Sequence, residues 1–224
     1  GPAALSLRSV ARDVGMVSSA VYRYFPSRDD LLTALLVQAY DEIGHAAETA
    51  DPGGDPVTRW LSVCRAARQW AREHQHEWAL LYGSPAIGYA APRDTVTPAS
   101  RVIVRLVQIL ASADPRPPEG PDAGFGASVA GATEALAERI PDAPALSDPE
   151  VVGRALMAWS GLVGVISFEL WGHLVGAIAD HDAYFDLVAR RLAADIGIGT
   201  HTGTVPHNTD QHQHVLCSTR TSSC

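Results

Sequence analysis

"SLRSVARDVGMVSSAVYRYFPSRDDLL", residues Ser6 to Leu32, decides the fold. Leu7, Val10, Ala11 and Val14 recur at spacings of three and four, which puts them on one helix face, and Gly15 follows where a helix ends with positive φ. Ser6 stands where the N-cap of that helix belongs. Met16 to Ser18 leaves room only for a turn between two helices meeting at a steep angle. The next helix, from about Ser19 to Phe25, has barely two turns before Pro26 forbids its continuation, and its cap falls on Ser18. Val21 and Phe25, four apart, anchor one face of it, while Tyr22, Arg23 and Tyr24 have nothing to bury them. Ser27 with Asp30 repeats the cap-and-acid signal. It opens a rod of roughly 33 Å at 1.5 Å per residue, striped by Leu31, Leu32, Leu35, Leu36, Ala39, Tyr40 and Ile43.

Helical spacing persists beyond the rod and strand-type alternation is scarce, so the expected fold is all-α. Asp55-Pro56, a cap followed by proline, starts a helix with Val57, Trp60, Leu61, Cys64, Ala67 and Trp70 on one side. A short helix with Trp78, Leu81 and Tyr82 stops at "GSPAIGYAAP"; Asp94 to Ala113 is helical again, and "DPRPPEGPD" is a stiff connector. Ala127 to Ile140 forms a further helix. Ser147 to Glu150 is a strong start signal for an apolar helix from Pro149 to about Ala179 containing Gly153, Gly161, Gly164, Gly172 and Gly176. Repeated glycines imply close approach of another helix or a pocket, since each costs about 1 kcal/mol against alanine. The last helix, Asp182 to Ile196, turns Phe185, Val188, Leu192 and Ile196 inward.

Lys and Arg total 17 against 25 Asp and Glu, a net charge of −8, which argues against general nucleic-acid coating. The distribution says more than the sum: Arg8, Arg12, Arg23 and Arg28 face only Asp13 between Ser6 and Arg28, a basic patch on an acidic chain. All the basic side chains are arginine. Cys64 reads as a core residue, and three cysteines make no disulfide framework. The longest uncharged apolar run, Ala155 to Phe168, is read as a buried helix and not a membrane span. No secretion signal opens the chain, which makes the cytoplasm the expected location. Residues 200–224 change composition abruptly and are read as a disordered appendage; the spacing of His207, His212, His214 and Cys217 does not define a metal site. Glu169 and His173, one turn apart, read as a hydrogen-bonded structural pair, and His74 and His76 cannot share a helix face. No nucleophile elbow, P-loop or dinucleotide fingerprint is present, so no enzyme and no cofactor is expected.

A helix-turn-helix lays its second helix in the major groove, and that role explains the exposed aromatic tip. Ser18, Ser19 and Ala20 leave room for the duplex, Arg23 reaches a guanine edge or a phosphate, and the Tyr22 and Tyr24 hydroxyls donate to phosphate oxygens. The stretch resembles the DNA-binding module of the tetracycline-repressor (TetR) family, in the positions of Ser6, Gly15, Ser18, Tyr22, Tyr24, Phe25, Arg28, Leu31 and Leu32. "HEWALLYGSPAIGYAAP" and "WSGLVGVISFELWGH" extend the resemblance more loosely to about Ile198, over the regulatory part of one subgroup.

The resemblance implies a helix-turn-helix DNA-binding segment in residues 1–47, including the start of the connecting helix, and a ligand-binding and dimerisation domain in residues 48–199. The expected DNA-contacting set is Ser6, Arg8, Ser18, Ser19, Ala20, Tyr22, Arg23, Tyr24 and Arg28, on a palindromic operator. A homodimer through the last two helices is implied, with an effector cavity that admits a small apolar or aromatic molecule. Trp78, Tyr82, Trp159, Phe168, Trp171 and His173 are its expected lining. Release of a repressor by its effector is the implied outcome. The family carries a helix ahead of Ser6, and "GPAALS" resembles the linker that follows it, so Val10, Val14, Val21 and Phe25 are expected to lose cover and DNA binding to weaken. The rival reading is a helical ligand-binding protein that does not bind DNA; operator binding that falls steeply with salt separates the two.

Overall fold

Capping chemistry sets the main boundaries of the chain. The computed structural model describes residues 6–13, 15, 17–116, 124–140 and 144–199. Among them the regular elements are all helical: α1 (Leu7–Asp13), α2 (Ser18–Tyr24), α3 (Arg28–Thr49), α4 (Pro56–Glu73), α5 (Gln75–Tyr82), α6 (Val96–Ser112), α7 (Ala130–Arg139), α8 (Pro149–Leu170) and α9 (His181–Ile196). Short 3-10 turns precede α6, α7 and α8. Ser27 closes a full capping box at the start of α3: its hydroxyl accepts from the Asp30 N–H at 3.1 Å, and its own N–H donates to Asp30 Oδ2 at 2.9 Å. Asp55, Asp148 and Asp180 cap α4, α8 and α9, and proline sits in the first turn of α4 and α8. Gly15 adopts φ of +68° after α1, the conformation its position required.

Several boundaries and faces differ from the sequence reading. Val17, not Ser18, is the N-cap of α2, and it supplies no side-chain cap. Leu35 points outward at 37 % exposure, because the inward stripe of α3 runs through Leu31, Leu32, Ala39, Ile43, Gly44 and Ala47. The apolar helix after Pro149 stops at Leu170 instead of running to Ala179, and the segment beyond is a series of turns in which Gly172 and Gly176 take φ of +75° and +79°. Gly172 terminates the helix and Gly176 lies in the turns beyond it. Glu169 and His173 form no pair: the carboxylate goes to Arg68 and the imidazole meets Phe168 edge-on. By length and composition α8 is long and apolar enough to cross a membrane, contrary to the expectation, yet its Val151, Val152, Ala155, Ala158, Leu162 and Ile166 are buried inside the protein. The Val10 and Val14 side chains, most of the connector after Asp114 and residues 200–224 lie outside the described residues.

Leu7, Ala11, Val21 and Leu31, with Phe25 against them, form a core that joins α1, α2 and the start of α3. Val21 is thus buried by its neighbours in α1 and α3, where a loss of cover was expected. The larger core holds Ile43, Trp60, Trp78, Ile109, Leu162, Ile166, Phe185 and Ile196, drawn from α3 to α6, α8 and α9. A third cluster of Val107, Val129, Leu136, Leu146 and Val152 packs α7 and its flanking turns onto α6 and α8. Burying each large side chain stabilises by about 1.5–3 kcal/mol, which provides adhesion but little direction.

Direction comes from guanidinium groups. The ion pairs among the described residues all use arginine. Arg68 of α4 is buried; it donates to both oxygens of Glu169 at 2.7 and 2.8 Å, reaches Asp182 at 2.7 Å and lies over the Phe185 ring. It therefore ties α4 to the end of α8 and the start of α9. Asp51, its side chain 1 % exposed, takes Arg59 of α4 at 2.9 Å and Arg105 of α6 at 3.1 Å. Arg101 of α6 donates to Asp41 at 2.9 Å and through Nε to Glu48 at 2.9 Å. It fits because Gly44 has no side chain: a Cβ there would press on Arg101 at 2.8 Å.

Removing the Arg68 charge by Arg68→Met leaves Glu169 without its partner and should cost about 3–5 kcal/mol in urea unfolding, with much of the loss recovered by adding Glu169→Gln. The Glu48 and Asp51 carboxyls are held below their ordinary values, first by hydrogen bonds from Arg101 and Arg59 respectively. Their contribution is complete above the unfolded carboxylate pKa of about 4 and is lost as pH falls through the lowered folded values. Circular dichroism during acid titration should show Asp51→Asn with a flatter fall in stability below about pH 5 than the parent chain.

Candidate DNA-binding helix and effector cleft

The short helix is fixed from below and open above. Val21 is buried and Phe25 half-buried on the underside, whereas Tyr22 is 44 % and Tyr24 74 % exposed, and Ser19 and Arg23 are exposed beside them. Ala20 is half-buried, and Ser18 is the first residue of the helix. On the neighbouring elements Ser6 and Arg8 are exposed, and Arg28 is half-buried, 3.5 Å from Asp29. The outward face of α2 thus gathers two phenols, a guanidinium and a serine hydroxyl in two turns. These are donors suited to phosphate oxygens and, for Arg23, to the O6 and N7 acceptors of guanine.

The six residues expected around an effector do not stand together. Trp78 is fully buried, its indole N–H donating to Ser167 Oγ at 3.0 Å. Tyr82 lies 4.4 Å from it between ring centroids and 5.9 Å from Trp159, and meets Tyr40 of α3 edge-on at 6.4 Å. Phe168, Trp171 and His173 occupy the exposed end of α8 and the turn after it, where Phe168 and His173 touch at 5.1 Å. The period of α8 explains the split: residues that follow the Ala158, Leu162, Ile166 line face the core, and Phe168 falls off that line.

Two spaces adjoin the aromatic group. A small void of about 10 Å³, no larger than one water, lies among Trp60, Ile103, Leu106, Val107, Leu110, Ala155 and Trp159. An open cleft of about 360 Å³ between α3 and the start of α6 is lined by Leu36, Tyr40, Ala91, Thr95, Val96, Ala99, Ser100 and Ile103. Ile103 borders both. Burial raises the Tyr40 and Tyr82 phenols above their ordinary value, and each is pushed further by a neighbouring phenol, so both stay protonated. One turn before Leu36, Thr33 shares a 2.9 Å hydrogen bond with Tyr89 of the loop between α5 and α6. The Thr33 proton goes to the Asp29 carbonyl at 2.8 Å, which makes the Tyr89 phenol the donor. Sequence reasoning missed Tyr40 and this bond; the spacing of Thr33, Leu36 and Tyr40 at three and four was the available signal. His74 stacks on Trp70 at 4.9 Å, and no group of three metal-ligating side chains occurs among the described residues.

A short, outward-facing helix seated on two others, joined by a rod to a helical bundle with an apolar cleft, defines a helix-turn-helix regulator. Residues 1–35 match the family described as bacterial regulatory proteins, tetR family, and residues 60–192 match the tetracyclin repressor-like C-terminal domain. An HTH-type transcriptional regulator of Mycobacterium bovis is 37 % identical over 215 residues, covering 87 % of this chain and 84 % of that protein. A Mycobacterium tuberculosis HTH-type transcriptional regulator matches with the same figures. Among solved structures, SCO4313, described as a regulatory protein, is 30 % identical with a TM-score of 0.65 and 87 % of each chain covered. PfmR, a TetR family transcriptional regulator of Thermus thermophilus, shares the fold at 16 % identity and a TM-score of 0.51, with 89 % and 91 % covered. The chain belongs to the TetR family of helix-turn-helix transcriptional regulators.

Replacing Arg23 by alanine should weaken binding to a selected operator by about 1–3 kcal/mol and relax base preference under it, and Tyr24→Phe should cost less and leave base preference alone. Fluorescence anisotropy with labelled duplexes measures both, and unchanged far-ultraviolet circular dichroism is expected because neither side chain is buried.

Proposed function

We propose that the protein is a cytoplasmic repressor that occludes a promoter as a homodimer and leaves it when a small, mainly apolar or aromatic molecule enters the helical bundle. The observation that carries this reading is the exposure of Tyr22, Arg23 and Tyr24 on a helix whose opposite residue, Val21, is buried. The DNA-facing set is Ser6, Arg8, Ser18, Ser19, Ala20, Tyr22, Arg23, Tyr24 and Arg28. The working division falls near residue 47, inside α3, with the sensing and pairing functions in residues 48–199. Two recognition helices related by a two-fold axis would then read a palindrome whose half-sites are spaced by helical turns of about 34 Å.

Pairing is assigned to α8 and α9. Met157, Gly161, Gly164 and Phe168 follow one another at four, three and four along α8, and Met157 and Phe168 are exposed. A Cβ built on Gly164 meets nothing within 4 Å, so the groove it leaves is open to an incoming helix. Leu187 of α9 adds 53 % of its surface to the exposed apolar area. Glu150 and Arg154, the charges in the first turns of α8, pair with each other, and Arg154 also pairs with Asp195. The apolar stripe between the charged ends suits a second copy of the chain rather than lipid. The effector reading is supported by Trp159, which lines the void, and by Tyr82, which meets Tyr40 of the cleft wall and packs on Trp78. Phe168, Trp171 and His173 are reassigned from the effector to the surface near the pairing stripe.

Selection of bound sequences from random duplexes should return a palindrome, with affinity that falls linearly in log–log coordinates as salt rises; recovery of unrelated sequences would overturn the reading. Leu187→Glu should convert the dimer to monomer in sedimentation equilibrium and lower affinity for the full palindrome far more than for an isolated half-site.

A further inference from the structure

Among the described residues, the side chains lining the cleft between α3 and α6 include a single uncommitted hydrogen-bond donor. Of its three hydroxyl-bearing side chains, Thr95 donates to the Pro92 carbonyl at 2.7 Å and Ser100 to the Thr97 carbonyl at 2.9 Å. The Tyr40 hydroxyl makes no hydrogen bond among the described residues, and neither does that of Tyr82 behind it. The remaining lining is Leu36, Ala91, Val96, Ala99 and Ile103, so no carboxylate, guanidinium or imidazole faces the space. The nearby guanidinium of Arg101 is already engaged by Asp41 and Glu48. From this we infer that the cleft takes an uncharged, largely apolar molecule carrying one hydrogen-bond acceptor, an ester, lactone or ketone carbonyl, which Tyr40 holds. The inference rests on the reading of the bundle as an effector domain.

The chemistry excludes two alternatives. A carboxylate entering the cleft loses its hydration with no cation to receive it, and an ammonium group meets no carboxylate; either penalty exceeds what one phenol returns. A pure hydrocarbon gains the apolar contacts but leaves the Tyr40 hydroxyl without a partner once water is displaced. A carbonyl supplies what is missing. Burial raises the Tyr40 phenol above its ordinary value and so favours the protonated, donating form. The cleft volume of about 360 Å³ lies at the small end of ligand sites, which fits a two-ring molecule. Bound there, the molecule touches α3 at Leu36 and Tyr40, one turn from the Thr33 hydrogen bond with Tyr89.

Calorimetric titration of the full chain with three probes on one ring system tests this: methyl 2-naphthoate, the 2-naphthoate anion and 2-methylnaphthalene. The ester should bind about 3- to 10-fold more tightly than the hydrocarbon, the gain of one net hydrogen bond, and at least about 30-fold more tightly than the anion. Tyr40→Phe should lower ester affinity and raise that of the hydrocarbon, whose entry then strands no hydroxyl, so that the two converge; retained hydrocarbon binding also reports an intact cleft. Equal binding of anion and ester, an ester affinity indifferent to Tyr40→Phe, or no binding by any probe overturns the assignment. Ala99→Trp, which fills the cleft, separates the two levels. If it abolishes ester binding while Tyr40→Phe has no effect, only the ligand class falls; if the ester binds regardless of Ala99→Trp, the cleft itself is not the effector site.

Discussion

The carboxylate of Asp51 is sealed just beyond the end of α3 and holds a guanidinium from α4 and another from α6. Removed from water, such a group persists only when it is fully paired, so its position fixes where three helices meet. Arg101 repeats the arrangement about one to three turns earlier along α3, with Asp41 and Glu48 gripping the same side of α6. Ala39, Ile43 and Ala47 adhere to the bundle along this length, but an apolar seam tolerates sliding that a forked hydrogen bond does not. The C-terminal half of α3 is therefore part of the bundle in both packing and register.

The N-terminal half obeys a different neighbour. Leu31 belongs to the small core beneath the recognition helix, and Leu36 and Tyr40 border the cleft. Between them Thr33 accepts from Tyr89, a residue of the connection that leads into the cleft wall at Ala91. On the proposed reading, a ligand touching the middle of a rod clamped at one end would bias its other end, which carries the DNA-binding segment. Allosteric couplings of about 1–3 kcal/mol are ordinary. One net hydrogen bond and a few apolar contacts near Thr33 and Tyr40 are of that size.

Local chemistry was readable from the chain alone. Ser27 with Asp30, Asp55 with Pro56, and Asp148 with Pro149 announce helix starts because each acts on amides within a few residues, and the structure places helices at all three. The tyrosine-bearing helix was equally legible, since Pro26 limits its length and Val21 and Phe25 mark its underside. Pairings across long separations were not. Arg68 sits among apolar residues on α4 with nothing nearby to predict that Glu169 would neutralise it, and Thr33 and Tyr89 are 56 positions apart. The end of α8 was misplaced for another reason: the apolar composition continues past Leu170, and Gly172 and Gly176 bear the positive φ that composition does not reveal. That error put His173 on a helix face with Glu169 that the two do not share.

The frame that registers these helices is built from one kind of cation. A guanidinium keeps its proton beyond any alkalinity at which phenols and thiols ionise, and hydrogen bonds to Glu48 and Asp41 hold that of Arg101 more firmly still. With arginine in place of every lysine, acyl donors that cap amines find no side-chain amine here to neutralise. The attraction of Arg8 and Arg23 for phosphate persists over the same span. The positive charge of the arginines is therefore a constant of this protein, and shape is left as the variable through which a ligand acts.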